Sequence, residues 1–274
     1  MTVGKYGSLF DLTGQSALVT GAAGILGTRF AKGLASFGAK VVCLDLERGS
    51  CESLAQQLRT DYGTECMGIA CDLRDPAAIE AAVATVEASF GPLDILLNNA
   101  ASKSDSVEAF LAPLDDYELE TWRQVMAVNL EGAFLMARAV GRRMAERGSG
   151  SIIQVASIYG LLAPDQRIYE GSDYLGRRIN TPPVYTVSKA GVIGLTKHLA
   201  TYWGERGVRV NTLTPGGVES GQNDVFRSKY AARVPLGRMA MADELVGPAI
   251  FLASPASSYV TGHNLVVDGG LSAW

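Results

Sequence analysis

Short apolar runs alternate with longer amphipathic stretches along the whole chain. The short runs fall at residues 16–20, 40–45, 66–71, 93–98, 151–155, 209–214 and 265–268. Several are apolar almost without a break, as in Ala39-Lys40-Val41-Val42-Cys43-Leu44, which suits strands covered by helices on both faces. Strands alternating with helical stretches are the pattern of βαβ units. The chain therefore predicts an α/β fold, a single Rossmann-like doubly wound parallel sheet of about seven strands with helices on both faces. No linker divides it, so one domain is expected over 1–274.

Within 118–146, apolar residues recur at Trp122, Val125, Met126, Ala133, Met136, Ala137, Val140 and Met144, close to a 3.6-residue period. Such a stripe is the face of one long helix turned to the core or to another subunit. The helix beginning near Tyr185 carries Ala190, Gly191 and Gly194, small residues that let another helix come close. Two stretches break the rhythm, an insert at 161–183 and a loop at 216–235. Both follow strands, and long loops at the carboxyl ends of parallel strands are where an open α/β sheet binds ligands. Both are expected to wall a substrate site.

Composition narrows the partners. With 274 residues, 47% of them hydrophobic, the chain can bury a full core. Its formal charge is −4 with a pI near 5.3, and its Lys and Arg are scattered, which argues against nucleic acid and anionic membrane as partners. Cys43, Cys51, Cys66 and Cys71 form no CxxC pair, and His198 and His263 are the only histidines. No metal site is expected, and the thiols are read as reduced and buried. There is no basic segment followed by an apolar run at the start and no stretch near ~18 apolar residues, so a soluble, cytoplasmic protein is expected.

The first strand runs into Thr20-Gly21-Ala22-Ala23-Gly24-Ile25-Leu26-Gly27, with a helix expected over 28–37. Glycines in this place let the backbone turn sharply and approach a pyrophosphate at the positive end of the helix. The second strand ends at Asp45-Leu46, where 45 − 27 = 18 residues separate Asp45 from Gly27. A carboxylate there accepts from ribose hydroxyls and repels a 2′-phosphate, favouring NAD over NADP. Arg48 nearby weighs the other way unless it is simply solvated. Asp72-Leu73 follows the third strand; Asp72 would reach an adenine edge or cap the helix that starts at Pro76.

Tyr185 and Lys189 stand one helical turn apart on one face. Using a phenolate near neutral pH means lowering its pKa of ~10 by ~3 units, or ~4 kcal/mol. One ammonium at ~4 Å, at an effective dielectric of ~20, supplies about that much.

With these residues in place the chain resembles the short-chain dehydrogenase/reductase family over nearly its whole length. The matching motifs are the 20–27 loop, Asp72, Asn98-Asn99-Ala100, Asn129, Ser157, Tyr185-x-x-x-Lys189 and Pro215-Gly216. The resemblance implies that Tyr185 is the acid/base and that Lys189 lowers its pKa and binds the nicotinamide ribose. It also implies that Ser157 holds the reacting oxygen and Asn129 positions a water. The implied cofactor-binding residues are Gly21, Gly24, Ile25, Leu26, Gly27, Asp45, Leu46, Asp72, Leu73, Asn99, Ala100, Ala101, Tyr185, Lys189, Pro215, Gly216 and Val218. A homodimer or homotetramer is implied as well, the segment 254–274 resembling the one used in tetramers.

Three departures stand out. Ile25 replaces a family glycine, with Gly24 one position early, and Ala101 replaces another. Ser157 and Tyr185 are 185 − 157 = 28 residues apart, where the family has about a dozen. Tyr159, Tyr169 and Tyr174 lack a lysine four residues on, so Tyr185 keeps its role. The insert is similar to a subgroup from bacterial surface-sugar pathways, including nonulosonic acid synthesis. Its Arg167, Arg177 and Arg178, beside Asp165, Glu170 and Asp173, suit a clamp for a polar ligand, or else a solvated lid or an oligomer contact. The expected reaction is NAD(H)-dependent interconversion of a secondary alcohol and a ketone on a polar, sugar-like substrate. A hydrophobic keto or acyl substrate is the alternative, disfavoured by Glu219, Gln222, Asn223 and Asp224 in the second loop. A non-catalytic dinucleotide-binding protein is disfavoured by the presence of both Tyr185 and Lys189.

Overall fold

A computed structural model describes residues 6–174 and 176–274. Its strands are β1 (Ser16–Thr20), β2 (Lys40–Asp45), β3 (Cys66–Ala70), β4 (Ile95–Asn98), β5 (Gly150–Val155), the short β6 (Asp173–Tyr174) and β7 (Arg177–Arg178), β8 (Val208–Pro215) and β9 (Asn264–Val267). Seven of them form one parallel sheet in the order β3-β2-β1-β4-β5-β8-β9, the α/β Rossmann arrangement read from the pattern. The helices are α1 (Ile25–Ser36), α2 (Arg48–Tyr62), α3 (Pro76–Phe90), α4 (Val107–Phe110), α5 (Leu119–Met126), α6 (Ala133–Arg147), α7 (Pro183–Trp203), α8 (Asp224–Ala231) and α9 (Val246–Ala253). None among the described residues is long and apolar enough to cross a membrane.

The two-residue period of the strands feeds two cores. Ala17, Val19, Val41, Cys43, Ile95, Leu97 and Ile153 face one side, against Phe30 and Leu34 of α1 and Ala249 and Ile250 of α9. Leu18, Val42, Leu96 and Ile152 face the other, against Val83 of α3, Met136 and Val140 of α6, and Trp203 of α7. A strand buried on both faces has no polar side to show, which is why these runs are continuously apolar. All four cysteines are buried free thiols.

The long helix expected over 118–146 runs from Leu119 to Arg147 and carries a π turn in its middle. This turn, at Ala127–Gly132 between α5 and α6, is a widened turn of the kind found at functional sites. Gly132 permits it, because a Cβ there would lie 2.9 Å from Leu73 Cβ. The apolar stripe itself is buried at Val125, Ala133, Met136, Ala137, Val140 and Met144, and half-buried at Trp122 and Met126. Gly191 does permit a close approach, to Leu130, but a Cβ at Gly194 would meet nothing within 4 Å. Close packing inside the subunit therefore explains only one of these two glycines.

The order of strands reverses between β1 and β4, opening a crevice at their carboxyl ends. The helix after β1 begins at Ile25 rather than at 28, with Gly24 as its N-cap. The displaced glycine thus re-forms the turn one residue early. Gly27 lies one turn inside α1, where a Cβ would fall 2.0 Å from the Gly21 carbonyl oxygen and 2.8 Å from Ala22 Cα. Both obstacles are backbone, so Gly27→Ala is expected to cost about 2 to 3 kcal/mol of stability in chemical denaturation. An unchanged midpoint would show that loop and helix can part without penalty.

Candidate functional site

The crevice is a cavity of about 790 Å³, within the usual range for a small-molecule site. Its two halves are built differently. One half is lined by Gly21, Gly24, Ile25, Leu26, Asp45, Leu46, Asp72, Leu73, Asn99, Ala100 and Ala101, and the other runs from Ser157, Tyr185 and Lys189 to Pro215, Gly216 and Val218. Two of the expected site residues do not face it. Gly27 packs α1 onto the loop, and Asn129 is buried beneath the wall, 1% exposed. Asn129 Oδ1 accepts from the Ser102 N–H at 2.7 Å, while its buried Nδ2 has no partner among the described residues.

The first half suits a dinucleotide on local grounds. Gly21 has φ +63°, and a Cβ on it would lie 2.8 Å from Ala100 Cα, so loop and β4 end approach as only glycine allows. The first-turn amides of α1 have no partner inside the helix and carry the positive end of its dipole. Ile25 and Leu46 leave apolar side chains exposed along the cavity. Asp45 is not idle: its Oδ2 accepts from the Ala23 N–H at 3.0 Å and its Oδ1 from the Leu46 N–H at 2.8 Å. Arg48 is turned to Glu52, Nε to Oε1 at 2.7 Å, and does not line the cavity. Asp72 is not the helix cap, a role Asp75 takes by accepting from Ala77 N–H. Arg74 grips Asp72 through Nε and Nη2 and holds its carboxyl below the ordinary range. Arg74 also lines the cavity and was not foreseen.

In the second half, Lys189 sits one turn beyond Tyr185 on α7 and is 4% exposed. Its Nζ donates to the Val155 carbonyl oxygen at 2.9 Å, and burial lowers its pKa to about 8. Burial pushes the Tyr185 phenol above its ordinary value, and its hydrogen bond with the Ser157 hydroxyl opposes that rise. Burial thus acts on the phenol in the direction opposite to the lowering expected from the lysine. Ser157 caps the short turn Ile158–Gly160 by accepting from Tyr159 N–H.

The outer walls come from the two irregular stretches and the segment after β4. That segment holds Ser104 at φ +61°, a left-handed backbone that a serine tolerates through local hydrogen bonds. Here Ser102 Oγ accepts from the Ser104 N–H at 3.0 Å and Ser104 Oγ donates to the Ser106 carbonyl at 2.9 Å. From the insert, Tyr169, Asn180, Thr181 and Pro182 reach the cavity, and from the second loop Gly217, Ser220, Gln222, Phe226 and Tyr230 do.

Of the three arginines expected to clamp a ligand, only the side chain of Arg167 is described. Arg167 is spent on Asp165, with Nε to Oδ1 at 2.8 Å, and the side chains of Arg177 and Arg178 lie outside those described. Of the four polar residues taken to favour a polar substrate, only Gln222 lines the cavity. Asn223 caps α8 and Asp224 pairs with Arg227. Beside Gln222, Ser220 and Tyr230, the polar groups on this side include Tyr159, Tyr169, Asn180 and Thr181. Nothing in the spacing of these residues marks them, since they come from a segment with no regular period.

Residues 21–272 match the model of a family described as enoyl-(acyl carrier protein) reductase. Over 266 residues the chain is 41% identical to the D-threitol dehydrogenase of Mycolicibacterium smegmatis, covering 95% of this chain and 94% of that one. Among solved structures, a gluconate 5-dehydrogenase from Burkholderia cenocepacia in complex with NADP and tartrate is 36% identical, with a TM-score of 0.86, over 97% of this chain and 98% of that one. An NAD+-bound xylitol dehydrogenase is 29% identical, with a TM-score of 0.83, over 94% and 99%. The chain belongs to the short-chain dehydrogenase/reductase family and is an NAD(P)-dependent oxidoreductase.

Proposed function

We propose that this protein is an NAD-dependent dehydrogenase that interconverts a secondary alcohol and a ketone on a polyhydroxylated, sugar-like substrate. The observation that carries the reading is the convergence of Ser157, Tyr185 and Lys189 where the dinucleotide half of the cavity meets a half lined by hydroxyl and amide groups. When bound, the nicotinamide supplies the carbon that takes or gives the hydride. The chain's own residues do the rest. Tyr185 exchanges a proton with the substrate oxygen, and Ser157 holds that oxygen by its hydroxyl. Lys189, buried and pinned to Val155, keeps a cation beside the site, and Asn129 holds the wall over it through Ser102. Gly21, Gly24, Ile25, Leu26, Asp45, Leu46, Asp72, Leu73, Asn99, Ala100, Ala101, Pro215, Gly216 and Val218 would hold the dinucleotide.

The substrate class rests on two kinds of support. The relatives described above are named for threitol, gluconate and xylitol. In addition, an acyl chain would leave the amide oxygen of Asn180, to which no described group donates, facing methylenes, a burial that costs free energy without compensation. The similarity of the insert to a surface-sugar subgroup is carried by none of these relatives and is no part of the proposal. NAD is preferred over NADP because Asp45 meets the ribose side of the cavity while Arg48 is held by Glu52. A homodimer or homotetramer belongs to the same proposal, supported by the exposed small face of α7 at Ala190 and Gly194.

Tyr185→Phe is expected to lower turnover by about 10²- to 10⁴-fold while NADH binding, followed by fluorescence titration, stays within a small factor. Equal loss of both would make the tyrosine structural. Asp45→Ala should lower the ratio of kcat/KM for NAD over NADP, and a wild-type preference for NADP would sink the inference drawn from that carboxylate. Light scattering at micromolar concentration should give the mass of two or four chains, and a monomer would overturn the oligomer.

A further inference from the structure

The insert contributes one side chain whose orientation is fixed from behind. Asn180 lines the cavity, and its Nδ2 donates to the carbonyl oxygens of Leu111 at 2.7 Å and Ala112 at 3.4 Å. Those carbonyls end α4, where helix geometry leaves them without partners. Turning the carboxamide over would set its oxygen against both, so Oδ1 is held as an acceptor, and no described group donates to it. The neighbouring Thr181 is held by Gln166 on both sides of its backbone, the Thr181 N–H donating to Oε1 at 3.3 Å and Nε2 donating to the Thr181 carbonyl at 3.0 Å. Its hydroxyl pairs with that of Tyr169. Two hydroxyls that share one hydrogen bond keep one proton between them to give.

We infer that Asn180 and the Tyr169–Thr181 hydroxyl pair determine specificity, selecting neutral polyols over sugar acids. This rests on the polyol reading above. A fixed acceptor beside a spare donor matches vicinal hydroxyls, each of which both gives and takes a hydrogen bond. A carboxylate could take the proton of the hydroxyl pair but would set its other negative oxygen against the amide oxygen of Asn180. A site built to pair a substrate O–H rejects a group that cannot give one, because the acceptor that the bound ligand covers is then left unpaired.

The test compares alditols of four to six carbons with aldonates of the same length and configuration, by NAD reduction. The wild-type protein is expected to favour the alditols by about tenfold or more in kcat/KM. In Asn180→Leu, which removes the acceptor and fills similar space, kcat/KM for alditols should fall about tenfold with that for aldonates little changed, so that the ratio approaches one. Thr181→Val, which spares the tether to Leu111 and Ala112, should shift the ratio in the same direction. Aldonates used as well as alditols by the wild type would overturn the selectivity while leaving the polyol reading intact. Equal loss on both substrate classes in the two variants would show these residues to be structural and overturn their assignment. No turnover of either class would overturn the polyol reading itself and this inference with it.

Discussion

The hydroxyl of Thr20 holds the two halves of the crevice floor together. It is fully buried and uses its whole capacity, donating to Asn98 Oδ1 at 3.2 Å and accepting from the N–H groups of Asn99 at 3.0 Å and Ala100 at 3.1 Å. Asn99 returns the contact, its Nδ2 donating to the carbonyls of Thr20 and Gly21. Each such bond contributes about 1 kcal/mol net, while a partner left unmade in the interior costs about 1 to 3 kcal/mol. The cluster therefore matters more for what its disruption would expose than for what its formation gains. It brings the chain leaving β1 against the chain leaving β4, close enough that residue 21 has no room for a side chain. From Asn98 the network continues through Nδ2 to the Ala133 carbonyl at the end of the π turn. That turn carries Asn129, which holds Ser102 in the wall above.

The opposite wall is also fixed in place, which bears on how a substrate is read. The insert is fastened to α8 by the stack of Tyr169 on Phe226, with centroids 5.4 Å apart. Lys229 Nζ donates to the carbonyls of Arg167 and Glu170, and Ser172 Oγ donates to Asn223 Oδ1. Ile168, Tyr169, Ser172 and Thr181 are buried, so this part of the segment packs against the body of the protein. A wall ordered during folding has already met its entropic cost before a ligand arrives. Its donors and acceptors then discriminate by position, because they cannot swing to suit a poor match.

The sheet was legible because strands covered on both faces must be apolar at every position, a signal that survives in a single sequence. Six of the seven expected sheet runs coincide with the observed strands to within a residue at each end; the seventh, read as 93–98, starts two residues later at Ile95. The Tyr185–Lys189 spacing and the glycine loop were legible for a similar reason, since helix geometry and close backbone approach each demand particular residues at particular intervals. What was hidden depended on side-chain direction in irregular chain. Asn129, expected to position a water, lies buried beneath the wall, where its Oδ1 also accepts from the Ser102 N–H. The polar residues Glu219, Asn223 and Asp224 were read as facing the substrate, yet two of them serve α8 itself, since capping and pairing compete for the same residue types. Asn180 and Thr181, which do reach the cavity, have no period to betray them.

Burial acts in opposite directions on the two residues at the centre of the site. It disfavours the ammonium of Lys189, bringing it to about pKa 8, and disfavours the phenolate of Tyr185. Both shifts raise the free energy of the charged forms that the chemistry requires. When charged, Lys189 has three protons to give and one described acceptor, the Val155 carbonyl. Such a group gains more from a new oxygen partner than an exposed lysine would, because it has little water to displace.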